Sequence, residues 1–393
     1  MNILLVHNSY QQPGGEDRVF QMEADLLRSH SHSVFLHRSH NDDVAQSGRA
    51  ALFVKTIWNH QSYAELRRII RENKIDLVHL HNTFPLISPS AYYAAAAERV
   101  PLVQTLHNYR LLCPAATLYR DGAICETCIG RSITLPAVFH SCYRGSKAAS
   151  FASTAMLAAH RGAGTWQRKV SAYIALTDFA REKFIEGGLP GGKIRVKPNF
   201  IDPDPGVGSG AGSYALFVGR LAPEKGVRTL LNAWKILDGA MPLEIAGEGP
   251  LADETRAAAA QIPNVFLRGW LPETHLQEMI RNAAVVIVPS EWYEPFGLTI
   301  AEAFAAGVPV IASRLGSLAA MICHRKTGLL FEVGSAADLA AQVRWFLSNP
   351  NELPLMRANA RREFEGNYTG ERNYQLLMSI YTDAQKGRDA GTA

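Results

Sequence analysis

The chain has 393 residues, of which 47% are hydrophobic and 19% charged, and a formal net charge of +4. This is the balance of a soluble globular protein, too long for one ordinary core and suited to two domains of roughly 150 to 200 residues. No apolar run approaches the roughly 18 residues of a membrane helix, and no dense Lys/Arg stripe or reader motif points to nucleic acid.

The opening MNILLVHNS lacks a basic stretch and a cleavage site. It reads as a first strand rather than a signal peptide, so a cytoplasmic protein is expected. Short apolar runs then alternate with helical patterns, which predicts a parallel α/β architecture. The first-half strands are NILLVH, SVFLHR, DLVHLH, PLVQTLH, AYIALT and IRVKPN. Those of the second half are YALFVG, PLEIAG, NVFLRG, AVVIVP, VPVIAS and GLLFE. Runs apolar on both faces belong in buried parallel sheets.

In chain order, the loop after the first strand, HNSYQQPGGEDRVF, places Gly14 and Gly15 where backbone can approach a ligand closely. Further on, Cys113, Cys125, Cys128 and Cys142 fall in one segment spaced C-x11-C-x2-C-x13-C. In a cytoplasmic protein this favours a tetrahedral structural zinc site, with disulfides and buried free thiols as the alternatives. Cys323 reads as an ordinary core residue. The stretch DPDPGVGSGAGS, Asp202 to Ser213, is the expected linker, and its Asp-Pro-Asp reads as a turn.

Past the linker, GRLAPEKGV (Gly219 to Val227) follows a strand and opens a helix. Arg220 and Lys225 beside a helix N-terminus fit a diphosphate site, the alternative being solvated loop cations. In EWYEPFGLTIAEAFAAG, Glu294 is expected in a loop and Glu302 about two turns inside the next helix. A glutamate buried among small apolar residues needs hydrogen bonds from a ligand. The alternatives are a helix cap for Glu294 and a surface helix charge for Glu302, the latter disfavoured by the small apolar residues of AEAFAAG. The last helix, around Glu371 to Gln385, carries Tyr374, Leu377, Met378 and Tyr381 at i, i+3, i+4, i+7 spacing, with a frayed tail after it.

Charge is unevenly spread: 23 Lys+Arg stand against 15 Asp+Glu in residues 1–200, and 17 against 21 in residues 201–393. Eleven of the 13 histidines also lie in the first half. A basic half suits a phosphate-bearing substrate or peripheral contact with an anionic membrane surface, with a generic solvated surface as the alternative.

Taken together, GRLAPEKGV and the two glutamates of EPFGLTIAE resemble the retaining, nucleotide-sugar-dependent glycosyltransferases of family four. The Gly-Gly loop, the His of TLHN, IALTDFAREKFIEGGLP with IRVKPNFID, and the last helix extend the resemblance over nearly the whole chain. It implies a GT-B fold: two Rossmann-like parallel-sheet α/β domains facing a cleft, here with a Cys-rich insertion in the first. The expected domains are residues 1–201 on the acceptor side, with the insertion at 109–150, and residues 214–370 on the nucleotide-sugar side. Residues 202–213 would link them, and residues 371–393 would return towards the first domain.

The resemblance also implies roles. Arg220 and Lys225 would neutralise the donor diphosphate, and Glu302 would accept from the ribose. Glu294 would hold the transferred sugar with the backbone of Phe296, Gly297, Leu298 and Thr299. Gly14 and Gly15 would approach the phosphate, and His107 would reach the donor sugar near its anomeric centre, unless it is a strand-end His satisfied by backbone. Trp270 stands where the family holds the base, with packing as its alternative. Transfer would proceed by front-face substitution without a catalytic cofactor, from a UDP- or GDP-linked donor to a saccharide or lipid-linked acceptor. Competing readings are a nucleotide-sugar epimerase and a non-catalytic binder of the donor.

Overall fold

The computed structural model describes residues 1–11, 14–46, 48–209 and 212–390. Contacts divide the chain into two compact units. One comprises Met1–Leu118, Cys125–Asn199 and Asn373–Ala393, the other Tyr119–Ile124 and Phe200–Arg372.

The first unit is built on six parallel strands: β1 (Asn2–Ser9), β2 (Ser33–His40), β3 (Leu77–Asn82), β4 (Leu102–Thr105), and, after a small antiparallel hairpin of β5 (Tyr119–Arg120) with β6 (Ala123–Ile124), β7 (Ala172–Ala175) and β8 (Ile194–Val196). The sheet order is β2-β1-β3-β4-β7-β8. The second unit holds β9 (Ala215–Val218), β10 (Leu243–Ala246), β11 (Val265–Gly269), β12 (Val285–Val288), β13 (Val310–Ser313) and β14 (Gly328–Phe331). They are also parallel, in the order β11-β10-β9-β12-β13-β14. Each of these twelve strands falls on a run expected from sequence, with β1, β2 and β3 continuing one or two residues past it. Most residues of β3, β4, β7, β10, β12, β13 and β14 are buried, as sheets covered by helices on both faces require.

Each order contains a point where the chain reverses direction across the sheet. In the first unit it falls between β1 and β3, and in the second between β9 and β12. Loops leaving the strand C-termini at such a point border the crevice where doubly wound folds bind ligands. Residues 219–226 follow β9 there, and residues 289–297 follow β12.

An apolar core packs against each sheet. In the first unit Ile3, Leu5, Phe20, Leu27, Leu77, Val103 and Ile174 pack with Leu377, Ile380 and Tyr381 of the last helix. In the second, Leu216 lies within the sheet while Trp234, Ile287, Ile311, Phe331 and Phe346 fill one face. The last helix runs Gly370–Ala390, so Lys386–Ala390 continue it and are no tail, being mostly good helix formers. Gly391–Ala393 lie outside the described residues, as do Gly210 and Ala211 of the expected linker. Of that segment, Gly208 donates to Ala306 O at 2.9 Å, and Asp204 is taken by Arg361 at 2.5 Å. Cys323 corrects the sequence reading: it is exposed, because it opens the turn before β14, where its carbonyl accepts from the amides of Lys326 and Thr327.

Candidate functional site

In the second unit, β9 runs into Gly219–Leu221 and a single 3-10 turn, Pro223–Lys225, before the helix Val227–Leu237. Gly226 joins turn to helix at φ 69°, and a Cβ there would stand 1.9 Å from Pro289 O. Only glycine allows the loop after β9 to lie this close to the end of β12. The approach sets Lys225 Nζ 2.8 Å from Glu294 Oε1. The same oxygen accepts from Ser290 Oγ, and Lys225 Nζ lies 5.5 Å from the ring centre of Trp292. The loops are tied again where the Glu291 amide donates to Glu224 O at 2.9 Å and Thr229 Oγ1 donates to Glu291 Oε1 at 2.6 Å. Arg220, more exposed, pairs with Glu224.

The structure thus brings Arg220, Lys225 and Glu294 to one end of the second sheet. Phe296 is buried, and Gly297 caps the helix Leu298–Ala305 with no side-chain acceptor. The first amides of a helix, here those of Leu298 and Thr299, lack partners within it and point outward as donors. A Cβ on Gly297 would meet Ile300 Cδ1 at 2.8 Å, so a larger residue there would have to displace the end of that side chain. Glu302 is buried, and the helix start at Leu298 puts it just over one turn in, not two. Trp270 follows β11 and is 73% exposed, so packing does not explain it.

In the first unit the helix Gly15–Ser29 starts directly after Gly14, whose amide donates to Asp17 Oδ2 at 2.9 Å. Glu16, in its first turn, accepts from Tyr10 and Asn108. Burial pushes its carboxyl up to about 7, with His7, Tyr10 and Asn108 pulling the other way. His107 lies two residues past β4, and its Nε2 is 2.9 Å from His81 Nδ1.

Behind His107 is a group that sequence reading missed. Glu23 Oε1 lies 2.9 Å from His79 Nδ1 and 3.2 Å from His81 Nε2, and Glu23 Oε2 lies 3.1 Å from Lys197 Nζ. Lys197 also donates to Asn373 Oδ1 at 3.1 Å, and His79 Nε2 meets Thr105 Oγ1 at 2.8 Å. Burial works to raise the Glu23 carboxyl, but the Lys197 ammonium above all holds it well below its ordinary range. Burial and the neighbouring His79 push His81 down to about 3, and burial with His81 and His7 lowers His107 well below 6.5. Both imidazoles are therefore neutral near pH 7. The available signal was the i, i+2 spacing of His79 and His81, which puts both on one face of β3. His81 and His107 line a pocket with Phe84, Tyr92, Arg110 and Trp166. The Arg110 guanidinium stacks over Phe84 at 4.2 Å and Tyr143 at 4.7 Å.

The four clustered cysteines form no disulfide. Cys128 is pushed up to about 11 by burial and by Cys113, Cys125 and Cys142, so the four lie within electrostatic reach of one another. Among the described residues, however, the one set of three or more potential ligand atoms within 4.8 Å of each other is Glu23, His79 and His81. The Lys197 ammonium against Glu23 disfavours a cation there.

Two family models match the chain: Glycosyltransferase Family 4 over residues 13–205 and Glycosyl transferases group 1 over residues 209–363. A glycogen synthase of Mycobacterium tuberculosis is 33% identical over 179 residues, 44% of this chain and 43% of its own. The chain likewise spans less than half the length of several other curated relatives it matches. A phosphatidyl-myo-inositol mannosyltransferase of Mycobacterium leprae is 25% identical with 96% of each chain covered. Among solved structures, Anabaena HepE in complex with UDP matches with a TM-score of 0.69 at 17% identity, over 97% of this chain and 100% of its own. A glycosyltransferase from Rickettsia africae matches with a TM-score of 0.71 at 16% identity, over 98% of each. These two likenesses are of fold, the GT-B pairing of parallel-sheet domains.

Proposed function

This chain belongs to glycosyltransferase family 4, and we propose that it moves a sugar from a nucleoside-diphosphate donor to a hydroxyl acceptor with retention of anomeric configuration. The observation that carries the reading is the Lys225–Glu294 pair at the reversal point of the second sheet, with Glu302 buried one turn beyond it. Lys225 and Arg220 neutralise the diphosphate. Charge builds there as the glycosidic bond breaks, so fixed cations stabilise the transition state more than the ground state. Glu294, fixed by Lys225 and Ser290, accepts from hydroxyls of the transferred sugar. Glu302 accepts from the ribose, and the amides at Phe296–Thr299 donate to what lies between. Trp270, exposed at its strand end, offers a face for the base.

In the first unit, Gly14 and Gly15 open a helix where backbone can approach an anion, and His107 accepts from a substrate hydroxyl. The pocket beside it, with Arg110 held against the Phe84 and Tyr143 rings, suits a saccharide or an anionic lipid-linked acceptor. A uridine nucleotide is the favoured donor, on the ground that the fold neighbour HepE has been solved with UDP and with UDP-glucose. Polysaccharide or glycolipid assembly is the setting that the mannosyltransferase relative supports. No helix among the described residues is long and apolar enough to cross a membrane. Any membrane contact would be peripheral, through the basic first half, and would weaken as salt rises. A zinc ion at the four cysteines would require their sulfurs to close to ligand distance. About one zinc per purified chain, lost in Cys125→Ser/Cys128→Ser, would establish it.

The test is a panel of UDP- and GDP-sugars read by thermal stabilisation, followed by product analysis with saccharide and lipid-linked acceptors. One nucleotide sugar should raise Tm well above its bare nucleotide and yield an α-linked product from an α-linked donor. Inversion, or release of an isomeric nucleotide sugar without acceptor, would contradict the proposal.

A further inference from the structure

His107 is a neutral imidazole, so which of its nitrogens bears the hydrogen decides what it can do. The answer follows from groups behind it. Glu23 Oε2 faces the Lys197 ammonium at 3.1 Å, and both side chains are almost wholly buried. Glu23 is therefore an ionised acceptor. His81 Nε2, 3.2 Å from Glu23 Oε1, must then be the donor. A neutral His81 has its one hydrogen on Nε2, which leaves Nδ1 as an acceptor. His107 Nε2, 2.9 Å from that Nδ1, must in turn be a donor. The two rings are 21° from parallel with centres 5.0 Å apart, an edge-to-edge arrangement that suits an in-plane N–H···N bond. The remaining nitrogen, His107 Nδ1, then carries a lone pair. His107 and His81 both line the first-unit pocket, which is where a ligand would meet that lone pair.

We propose that Glu23 and His81 are positioning residues for sugar transfer: through two directed hydrogen bonds they hold His107 as the Nε2–H tautomer, so that its Nδ1 accepts the hydrogen of a substrate hydroxyl. The inference rests on the reading of His107 as a substrate-contacting residue. Lys197 and Asn373 fix the far end, because Lys197 Nζ bridges Glu23 Oε2 and Asn373 Oδ1 at 3.1 Å each. His79 completes the shell around Glu23, with its own orientation set by Thr105 and by Tyr381, whose hydroxyl lies 2.8 Å from Nδ1. The chain of bonds sets a hydrogen-bond direction and does not require a proton to move.

The experiment combines long-range 1H–15N spectra of the full chain labelled at histidine with hydrolysis of UDP-glucose, water serving as acceptor. The wild type should show His107 as Nε2–H. His81→Phe removes the acceptor and should give a mixed tautomer, with kcat for hydrolysis lowered at least about tenfold and stabilisation by UDP unchanged. Asparagine places its Oδ1 near the position of an imidazole Nδ1, so His81→Asn should restore the Nε2–H form and most of kcat. His81→Gln, whose polar end reaches the Nε2 position instead, should not. An Nδ1–H tautomer in the wild type, or an unaltered His107 signal in His81→Phe, would overturn the inference whatever the activity. A pinned tautomer together with a fully active His107→Ala would overturn the reading of His107 and leave the hydrogen-bond chain standing.

Discussion

In the second unit Lys225 and Glu294 meet at 2.8 Å on loops that water reaches, with the lysine side chain 25% exposed. In the first unit Glu23 and Lys197 meet at 3.1 Å with both side chains about 1% exposed. The pairs are chemically alike but differ in what their surroundings let them do. A pair in contact with water gains little from its own attraction, so a charged ligand can re-partition it at low cost. A buried pair gains from its partner mainly relief from desolvation, so neither member is free to turn to a ligand. The first arrangement is fit to exchange partners with a diphosphate, and the second is fit to hold a direction.

Breaking the buried pair tests that contrast most strongly. Glu23→Leu should lower the stability of the chain by about 3–5 kcal/mol by stranding the Lys197 ammonium, and Glu23→Leu/Lys197→Met should recover much of the loss. Equal damage from single and double variants in urea unfolding would mean that the pair is not the cause. Next in size, Lys225→Ala should reduce transfer by roughly 10²- to 10³-fold with little change in Tm. A large Tm loss there would move Lys225 into the structural class occupied by Lys197. Glu302→Ala should weaken binding of the bare nucleotide by about tenfold or more, as expected for a charged acceptor of ribose hydroxyls; calorimetry showing unchanged affinity would remove that role.

The smallest effect is set by pH. Glu16 titrates near 7 in the folded chain and near 4.5 when free. The unfolded state therefore loses this proton first, and stability falls as pH rises between those values. Glu16→Gln should remove a loss of about 1–2 kcal/mol across that window, a figure reduced for partial exposure. His81, at about 3 when folded and near 6.5 when free, acts oppositely, with stability lost as pH falls through that range. Unfolding curves of Glu16→Gln and the parent at pH 5 and pH 8 separate the two.

Sequence alone was a good guide wherever the relevant residues are near one another in the chain. The strands declare themselves by apolar runs, and Arg220 and Lys225 stand together between a strand and a helix. The pairing of Lys225 with Glu294 spans 69 residues and depends on Gly226 admitting Pro289, which no local pattern announces. Glu23 and Lys197 are 174 residues apart, joined only through strand order and the returning helix that brings Asn373. The histidines were legible as a count and not as a cluster, because strand register decides which of them face one another. Cys323 was misread because one apolar thiol in a short turn looks the same in sequence as one in a core.

The central claim is that the loops after β9 and β12 hold a sugar nucleotide with Glu294 on the sugar. Thermal stabilisation of the parent chain and of Glu294→Ala by UDP-glucose and by UDP tests it directly. The account predicts that Glu294→Ala loses most of the extra stabilisation given by the sugar while keeping that given by UDP. Equal losses for both ligands, or none for either, would contradict it.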